Sequence, residues 1–489
     1  MIAKLSRVFL FAKNNRKRLN SEVKLVDLLN TIKSNQLTHL FLNGNFGLEK
    51  EGLRATLPFD LAQTMHPESL GDREVNPHIK TDYGEAQPEI ITPPLAPYTN
   101  AHNWLQSLSK VLSACLPEDE YMWPFSVPCQ LPEEHLINIA VTTNPELATY
   151  RLYTAVRYGK KRQLVNGIHI NYSFDERFLD GLFGEMNGFE TVETLRDELY
   201  LKLASNFLRY QWLLIYLFGA TPIAEPDFFD APFFKNKELP TAPMRSLRKS
   251  QYGFTNDPKV VVRYDSIKNY AGDLQNAVAT GVLKKEREYY GDVRLRGKVK
   301  DTSSLLEDGI QYLEFRSFDN NPYHISGLTM ETLQFIHLFF LTMLLLPEKV
   351  SPEETEKGND LTKLIAEENP FSKTALFDEG IWLCEQMKHV IEELGLEDGY
   401  AELVENAISQ LNHPEMTTAG RIMTAVNNAS SLLEFGYRLG VDHKKEILAV
   451  EGMPGFEHLE PAQAQHLFHI IQMGLDIPLD YIKEEHLVD

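Results

Sequence analysis

The sequence predicts an α+β protein: an antiparallel sheet with an apolar back and a polar front, packed against long helices. Two observations carry this. Four short segments alternate apolar and polar residues with the period of two that a half-buried strand requires. Elsewhere, long apolar-rich runs follow the helical period instead.

The first strand is expected in Gly47-Leu48-Glu49-Lys50-Glu51-Gly52-Leu53-Arg54. Successive side chains point to opposite faces, so Glu49 and Glu51 share one face while Phe46, Leu48 and Lys50 share the other. Adjacent carboxylates repel unless something positive lies between them. Taken alone, this pattern fits a solvated sheet edge; it also fits a hard divalent cation such as Mg²⁺, which prefers oxygen ligands.

The second segment is Thr81 to Pro94, with Asp82 at the strand entrance and Glu85, Gln87 and Glu89 alternating onto one face. Pro88 cannot donate to a ladder, which predicts an edge strand or a bulge. The third, Gly167 to Ser173, sets His169, Asn171 and Ser173 against Ile168, Ile170 and Tyr172. The fourth, Tyr312 to Asp319, puts Glu314 and Arg316 on one face, where a plain salt bridge would also explain them. One sheet would gather all these polar faces into a concave site.

A long helix is expected from near Val192 to Phe218, ended by Gly219. The run Phe335 to Leu346 is broken by His337 and Thr342 and stopped by Pro347. It falls short of the ~18–20 apolar residues of a membrane span and reads as a buried helix. The Pro-rich stretch 223–243 reads as a long functional loop, and residues 376–475 as largely helical.

A chain of 489 residues with 43% hydrophobic and 10% aromatic content can bury a large core. Length alone suggests two or three domains, but no linker is evident. A net charge of −21 argues against a nucleic-acid partner, and an anion-binding site must then concentrate its arginines locally. Cys115, Cys129 and Cys384 have neither metal spacing nor a disulfide framework, which fits the reducing cytoplasm. The basic segment Met1 to Asn20 has only Val8 to Ala12 as an apolar core, too short for a signal peptide. Neither a G-x-x-x-x-G-K-[ST] loop nor a G-x-G-x-x-G turn occurs.

The ordered segments G-L-E-K-E-G-L-R (47–54), H-P-E-S-L-G (66–71), T-D-Y-G-E-A-Q-P-E-I-I-T-P (81–93), M-W-P-F-S-V-P-C (122–129), G-I-H-I-N-Y-S (167–173), L-F-G-A-T-P (217–222), S-L-R (246–248) and Y-L-E-F-R-S-F-D with N-P (312–322) carry a resemblance. The chain resembles the bacterial glutamate–cysteine ligases, including the N-terminal half of the bifunctional glutathione-synthesis enzymes. The match spans roughly 40 to 345 and is looser beyond. Thr417-Thr418-Ala419-Gly420-Arg421 departs from a family T-x-S-A-R stretch and is given no role.

The resemblance implies a glutamine-synthetase-like α+β fold whose curved antiparallel sheet floors the site. It implies one catalytic domain over 1–489, with a sheet-based core at about 40–345 and a mainly helical part at about 346–489. The implied reaction is ATP-dependent joining of the L-glutamate side-chain carboxylate to the amine of L-cysteine through γ-glutamyl phosphate, the first step of glutathione synthesis. By position, Glu49, Glu51, Asp82, Glu89, His169 and Glu314 are the implied Mg²⁺ ligands; the imidazole would suit Mn²⁺ somewhat better. Arg248 is the implied phosphate-side arginine, where a solvated loop charge beside Arg245 and Lys249 would also explain it; Arg151 has a similar standing and Arg294 a lesser one. The implied substrate pocket comprises Tyr83, Tyr150, Arg151, Thr154, Gln163, Phe254, Tyr290 and Arg316, where Arg316 is the fork for a carboxylate. Phe254 stands where a tyrosine can occur and Thr154 where an aliphatic residue can, so cysteine selection rests on pocket shape. A ligase of the same fold using another amine, or a non-catalytic relative, are the alternatives; the second is disfavoured because no implied metal ligand is missing. Some relatives carry a fused ATP-grasp domain that adds glycine; Leu475 to Asp489 is too short for it and no Gly-rich phosphate loop lies upstream, so the expected product is the dipeptide, with a fragment of a fused enzyme as the alternative.

Overall fold

The polar front and apolar back are built by strands drawn from distant parts of the chain. The computed structural model describes residues 28–475 except 187 and 300, together with 477, 478 and 481. The segment weighed as a signal peptide lies outside the described residues. Among them the strands are β1 (Asn45–Glu51), β2 (Leu53–Thr56), β3 (Asp60–Leu61), β4 (Ile79–Thr81), β5 (Pro88–Ile91), β6 (Glu120–Trp123), β7 (Ile168–Ser173), β8 (Val293–Arg296) and β9 (Tyr312–Phe318). A six-stranded sheet has the order β4-β5-β1-β7-β9-β8 with every pair antiparallel, and β3-β2-β6 form a smaller one.

Phe46, Leu48, Ile168, Ile170, Tyr172, Leu313 and Phe315 are all fully buried on the back of the large sheet. Helices Tyr98–Cys115, Val192–Tyr210 and Met330–Leu345 cover them. Phe315 stacks on Phe340 with centroids 4.2 Å apart and meets Phe207 edge-on at 4.6 Å. Each such side chain contributes roughly 1.5–3 kcal/mol by leaving water. The strictly apolar back leaves the alternate positions to the front. Lys50 is the exception: its Nζ donates to the Ile325 carbonyl at 2.5 Å, and burial lowers its pKa to about 8.

Register places the front residues side by side. Glu49 lies opposite His169, Glu51 opposite Glu89, and Asn171 opposite Glu314. Between Ile168, which pairs with Phe318, and Ile170, which pairs with Phe315, β9 carries one extra residue. This bulge sits at Arg316 and Ser317, opposite His169, and bulges of this kind re-aim side chains beside active sites.

Three expectations change. Glu85 and Gln87 do not alternate with Glu89 on a strand, because β5 starts only at Pro88. Gln87 closes a turn by accepting from the Gly84 N–H at 3.0 Å, and Glu85 pairs with Arg73 at 2.6 Å. Pro88 is neither at a sheet edge nor in a bulge; it is the first residue of an interior strand, where its missing N–H is tolerated. The long helix to Phe218 is interrupted at Gln211, between Val192–Tyr210 and Trp212–Phe218. Gln211 uses the break to accept from Ser317 Oγ at 2.6 Å and to donate to Asp292 at 2.9 Å.

The helix ended before Pro347 is Met330–Leu345 and is buried. Among the described residues no helix is long and apolar enough to cross a membrane. Helices Phe377–Leu394, Asp398–Asn412, Thr418–Asn428, Leu432–Ala449 and Pro461–Met473 fill most of 376–475. The Pro-rich stretch forms short 3-10 turns, Pro226–Asp230 and Pro232–Phe234, and lays the Phe233 ring 3.6 Å from the Arg162 guanidinium.

Candidate active site

Side chains of β1, β7 and β9 meet at the centre of the front face. Ligand atoms of Glu49, His169 and Glu314 lie within 4.8 Å of one another. His169 Nδ1 is 3.1 Å from Glu49 and 3.8 Å from Glu314, and its Nε2 is 3.6 Å from Glu51. Asn171 donates to the other Glu49 oxygen at 2.9 Å. Glu314 accepts from Arg296 Nε at 2.5 Å and also from Arg316.

The charges divide the cluster into two ends. Burial works against the Glu314 carboxylate, yet Arg316, Arg296 and Arg294 hold its pKa well below the usual range. Burial likewise opposes ionised Glu49, and the hydrogen bond from His169 tips it to a lowered value. At the other end burial and the Asp82 charge push Glu51 up to about 8, and burial also raises Asp82 despite Arg151 and Arg316. Burial and the Arg316 charge lower His169 to about 4. Its contact with Glu49 is therefore a hydrogen bond from a neutral ring, the form that can ligate a metal.

This donor chemistry fits a divalent cation. Carboxylates crowded within reach of one another, with a neutral imidazole among them, are the ligands such an ion satisfies. Glu89 stands opposite Glu51 on the same face.

A cavity of about 190 Å³ opens beside Glu51, Asp82 and His169. Its wall brings together Tyr83, Tyr150, Arg151, Thr154, Gln163, Arg248, Phe254, Tyr290 and Arg316. One side is the helix Pro145–Tyr158. Asn144 caps it by accepting from the Glu146 and Leu147 N–H groups, with Pro145 at the first helical position. Phe254 stacks on Tyr290 at 4.9 Å and 18°. The Tyr83 hydroxyl is buried without a hydrogen-bond partner.

Two wall residues are committed elsewhere. Arg151 donates to the Ala140 and Thr81 carbonyls at 2.8 and 3.2 Å and to that of Asp82, pinning the helix to the end of β4. Thr154 Oγ1 donates to the Arg151 carbonyl within the helix. Arg294 also binds carbonyls, those of Arg287 and Tyr289, at 2.9 and 2.6 Å.

Arg248 is the opposite case: its Nε and Nη1 are buried with no hydrogen-bond partner. Its backbone is held through Thr221, whose Oγ1 accepts from the Arg248 N–H at 3.3 Å and donates to Asp319 at 2.9 Å. The guanidinium lies flat against Gly167, where an added Cβ would stand 2.4 Å from Cζ. Gly167→Ala is thus expected to displace Arg248 and lower kcat/KM about tenfold or more, with a near-unchanged melting temperature. Steady-state kinetics and thermal melting of the same preparation check this; unchanged kinetics would show that the position of this guanidinium is unimportant.

Arg296 and Asn171 escaped assignment from the sequence. Both carried the period-two signal: Arg294 and Arg296 alternate on β8, and Asn171 follows His169 by two.

A six-stranded antiparallel sheet bearing buried carboxylates, a neutral histidine and an uncommitted arginine around one cavity fits an enzyme that handles anionic groups. The comparisons narrow the class. The family model described as glutamate-cysteine ligase matches residues 29–364, and the chain belongs to that family. It is 39% identical over 447 residues to a glutathione biosynthesis bifunctional protein of Pasteurella multocida, covering 91% of this chain and 58% of that protein. It is 38% identical over 443 residues to the protein of the same description from Streptococcus agalactiae, covering 90% of this chain and 58% of that one. The chain therefore spans less than two thirds of the length of these curated relatives. Among solved structures, a bifunctional glutathione synthetase from Pasteurella multocida is similar with a TM-score of 0.86 and 37% identity, covering 92% of this chain and 58% of that one. A glutamate–cysteine ligase from Francisella tularensis, in complex with AMP, shares the fold with a TM-score of 0.77 at 23% identity, covering 90% and 97%.

Proposed function

We propose that this chain joins the side-chain carboxylate of L-glutamate to the amine of L-cysteine using ATP, giving γ-glutamylcysteine, ADP and phosphate. The observation that carries the reading is the cavity bordered by Glu51, Asp82 and His169 on one side and by Arg248, Arg316 and the Phe254–Tyr290 stack on the other. Family membership names the chemistry.

A carboxylate is a poor acylating agent. Transfer of the ATP γ-phosphoryl group to a glutamate side-chain oxygen releases ADP and creates a leaving group. The cysteine amine then attacks the acyl carbon and phosphate departs. A divalent cation, Mg²⁺ or Mn²⁺, held by Glu49, Glu51, Asp82, Glu89, His169 and Glu314, would neutralise phosphate charge and orient the nucleotide. Arg248 offers unpaired N–H groups to an anionic oxygen, where such donors act most strongly because water is excluded. Arg316, one N–H fixed on Glu314, also lines the cavity and would receive the cysteine carboxylate. The aromatic stack encloses the small side chain. The same reading takes the large sheet as the floor of a glutamine-synthetase-like site, within one catalytic unit that includes the C-terminal helices, acting in the cytoplasm.

The test is ADP release by the purified chain with ATP, Mg²⁺, glutamate and each amino acid in turn, with mass spectrometry of the products. ADP that depends on both glutamate and cysteine, and a γ-glutamylcysteine peak, support the reading. A preference for another amine would reassign the substrate, and ADP release with neither would remove the activity. Arg316→Lys is expected to raise the KM for cysteine on the order of tenfold while leaving that for ATP near its original value, because a point charge cannot pair bidentately. A raised ATP constant with cysteine unchanged would move Arg316 to the phosphate side.

A further inference from the structure

The cavity has two walls that share no backbone: the helix Pro145–Tyr158, carrying Tyr150, and the segment 284–290, carrying Tyr290. Of the side chains that link them among the described residues, Glu288, outside the cavity, makes the most contacts. Glu288 is fully buried, and its carboxylate gathers three partners from the last turns of the helix. Tyr158 donates to it, Tyr153 donates at 3.1 Å, and Arg157 Nε lies 3.5 Å away. Its second oxygen accepts from the Lys284 N–H at 2.5 Å, closing its own loop. Two residues on, Tyr290 packs edge-on against Tyr158 at 6.1 Å, and Arg287 lies 3.7 Å from the centre of the Tyr150 ring.

We propose that Glu288 is the positioning residue that sets the separation of the two walls and so selects the amine substrate. The inference rests on the reading of this cavity as the cysteine pocket. A buried carboxylate takes such an arrangement only where its partners hold it, and it holds them in turn. Glu288 touches neither the carboxylate–histidine cluster nor Arg248. Its loss should loosen the cysteine side of the cavity and leave the nucleotide side intact.

The test compares wild type, Glu288→Leu, Glu288→Gln and the pair Tyr153→Phe/Tyr158→Phe. Leucine removes the acceptor; glutamine restores an oxygen that both tyrosines can reach. Glu288→Leu is expected to raise the KM for cysteine about tenfold, with kcat and the constants for ATP and glutamate within about twofold. Glu288→Gln should recover most of that loss, and the tyrosine pair should reproduce it. An equal rise in all constants, a glutamine variant no better than leucine, or a tyrosine pair at wild-type values would overturn the proposal. Should the leucine variant fail to fold, the tyrosine pair decides. Amide hydrogen exchange gives a readout independent of turnover: amides of residues 145–158 should exchange faster in the tyrosine pair. If wild type shows no cysteine-dependent ADP release, the substrate reading falls, and unchanged exchange would overturn the wall-setting role as well.

Discussion

Glu49→Gln is expected to leave the fold intact and to lower turnover on the order of 10²- to 10³-fold at saturating magnesium. Glu49 is the carboxylate at which the contacts of His169 and Asn171 converge, one on each oxygen. Glutamine has nearly the same shape as glutamate, so the substitution opens no core cavity. An amide of the same shape keeps the hydrogen bond from Asn171 if its oxygen turns that way. It lacks the charge that a hard cation requires. Melting and ADP release must be measured together. Near-normal turnover would remove Glu49 from the set of residues holding the ion.

Arg54→Met is expected to destabilise the protein by roughly 3–5 kcal/mol, the usual consequence of stranding one member of a buried ion pair. Arg54 and Glu120 are both fully buried and 2.8 Å apart. The guanidinium also donates to Thr64 Oγ1 and the Thr64 carbonyl at 2.6 Å and to the Glu85 carbonyl at 3.1 Å. It thereby ties β2 to β6, to the strand-free segment after β3, and to the turn before β5. Removing it leaves the buried Glu120 carboxylate without its cationic partner, although Thr64 Oγ1 still donates to it. The double change Arg54→Met/Glu120→Leu should recover much of the loss, since apolar replacement of both partners is often neutral. Denaturant midpoints of the single and double variants would decide it; equal loss in both would mean that packing, not charge, sets the effect.

Arg54 marks the boundary of what the sequence discloses. It closes the segment that also holds Glu49 and Glu51, yet it lies in a different sheet and has a structural task. Strand periodicity made the faces legible: Phe46, Leu48, Ile168, Ile170, Leu313 and Phe315 on the back, and Glu49, His169 and Glu314 on the front. What periodicity omits is where a strand begins. Glu85 and Gln87 alternate with Glu89 in sequence, but the chain turns at Gly84 and the alternation is spatially empty. Nor can spacing reveal which carbonyls a strand leaves over. Arg151 reads as a binding arginine until the free carbonyls of Ala140, Thr81 and Asp82 are seen to take it. The bulge in β9 leaves no trace in residue type, although it sets the position of Arg316.

The strand order has a consequence in time. Glu49 and His169 are 120 residues apart in sequence yet adjacent in the sheet, and β9 must then arrive from still further along the chain. Such non-local pairing slows folding, since long loops must close before contacts reward them. During synthesis β1 and β5 can pair early, but β1 keeps an open edge until β7 emerges, and β7 keeps one until β9 does. A chain halted before β9 would therefore lack the reactive centre and also expose a sticky strand edge, open to pairing with other nascent chains.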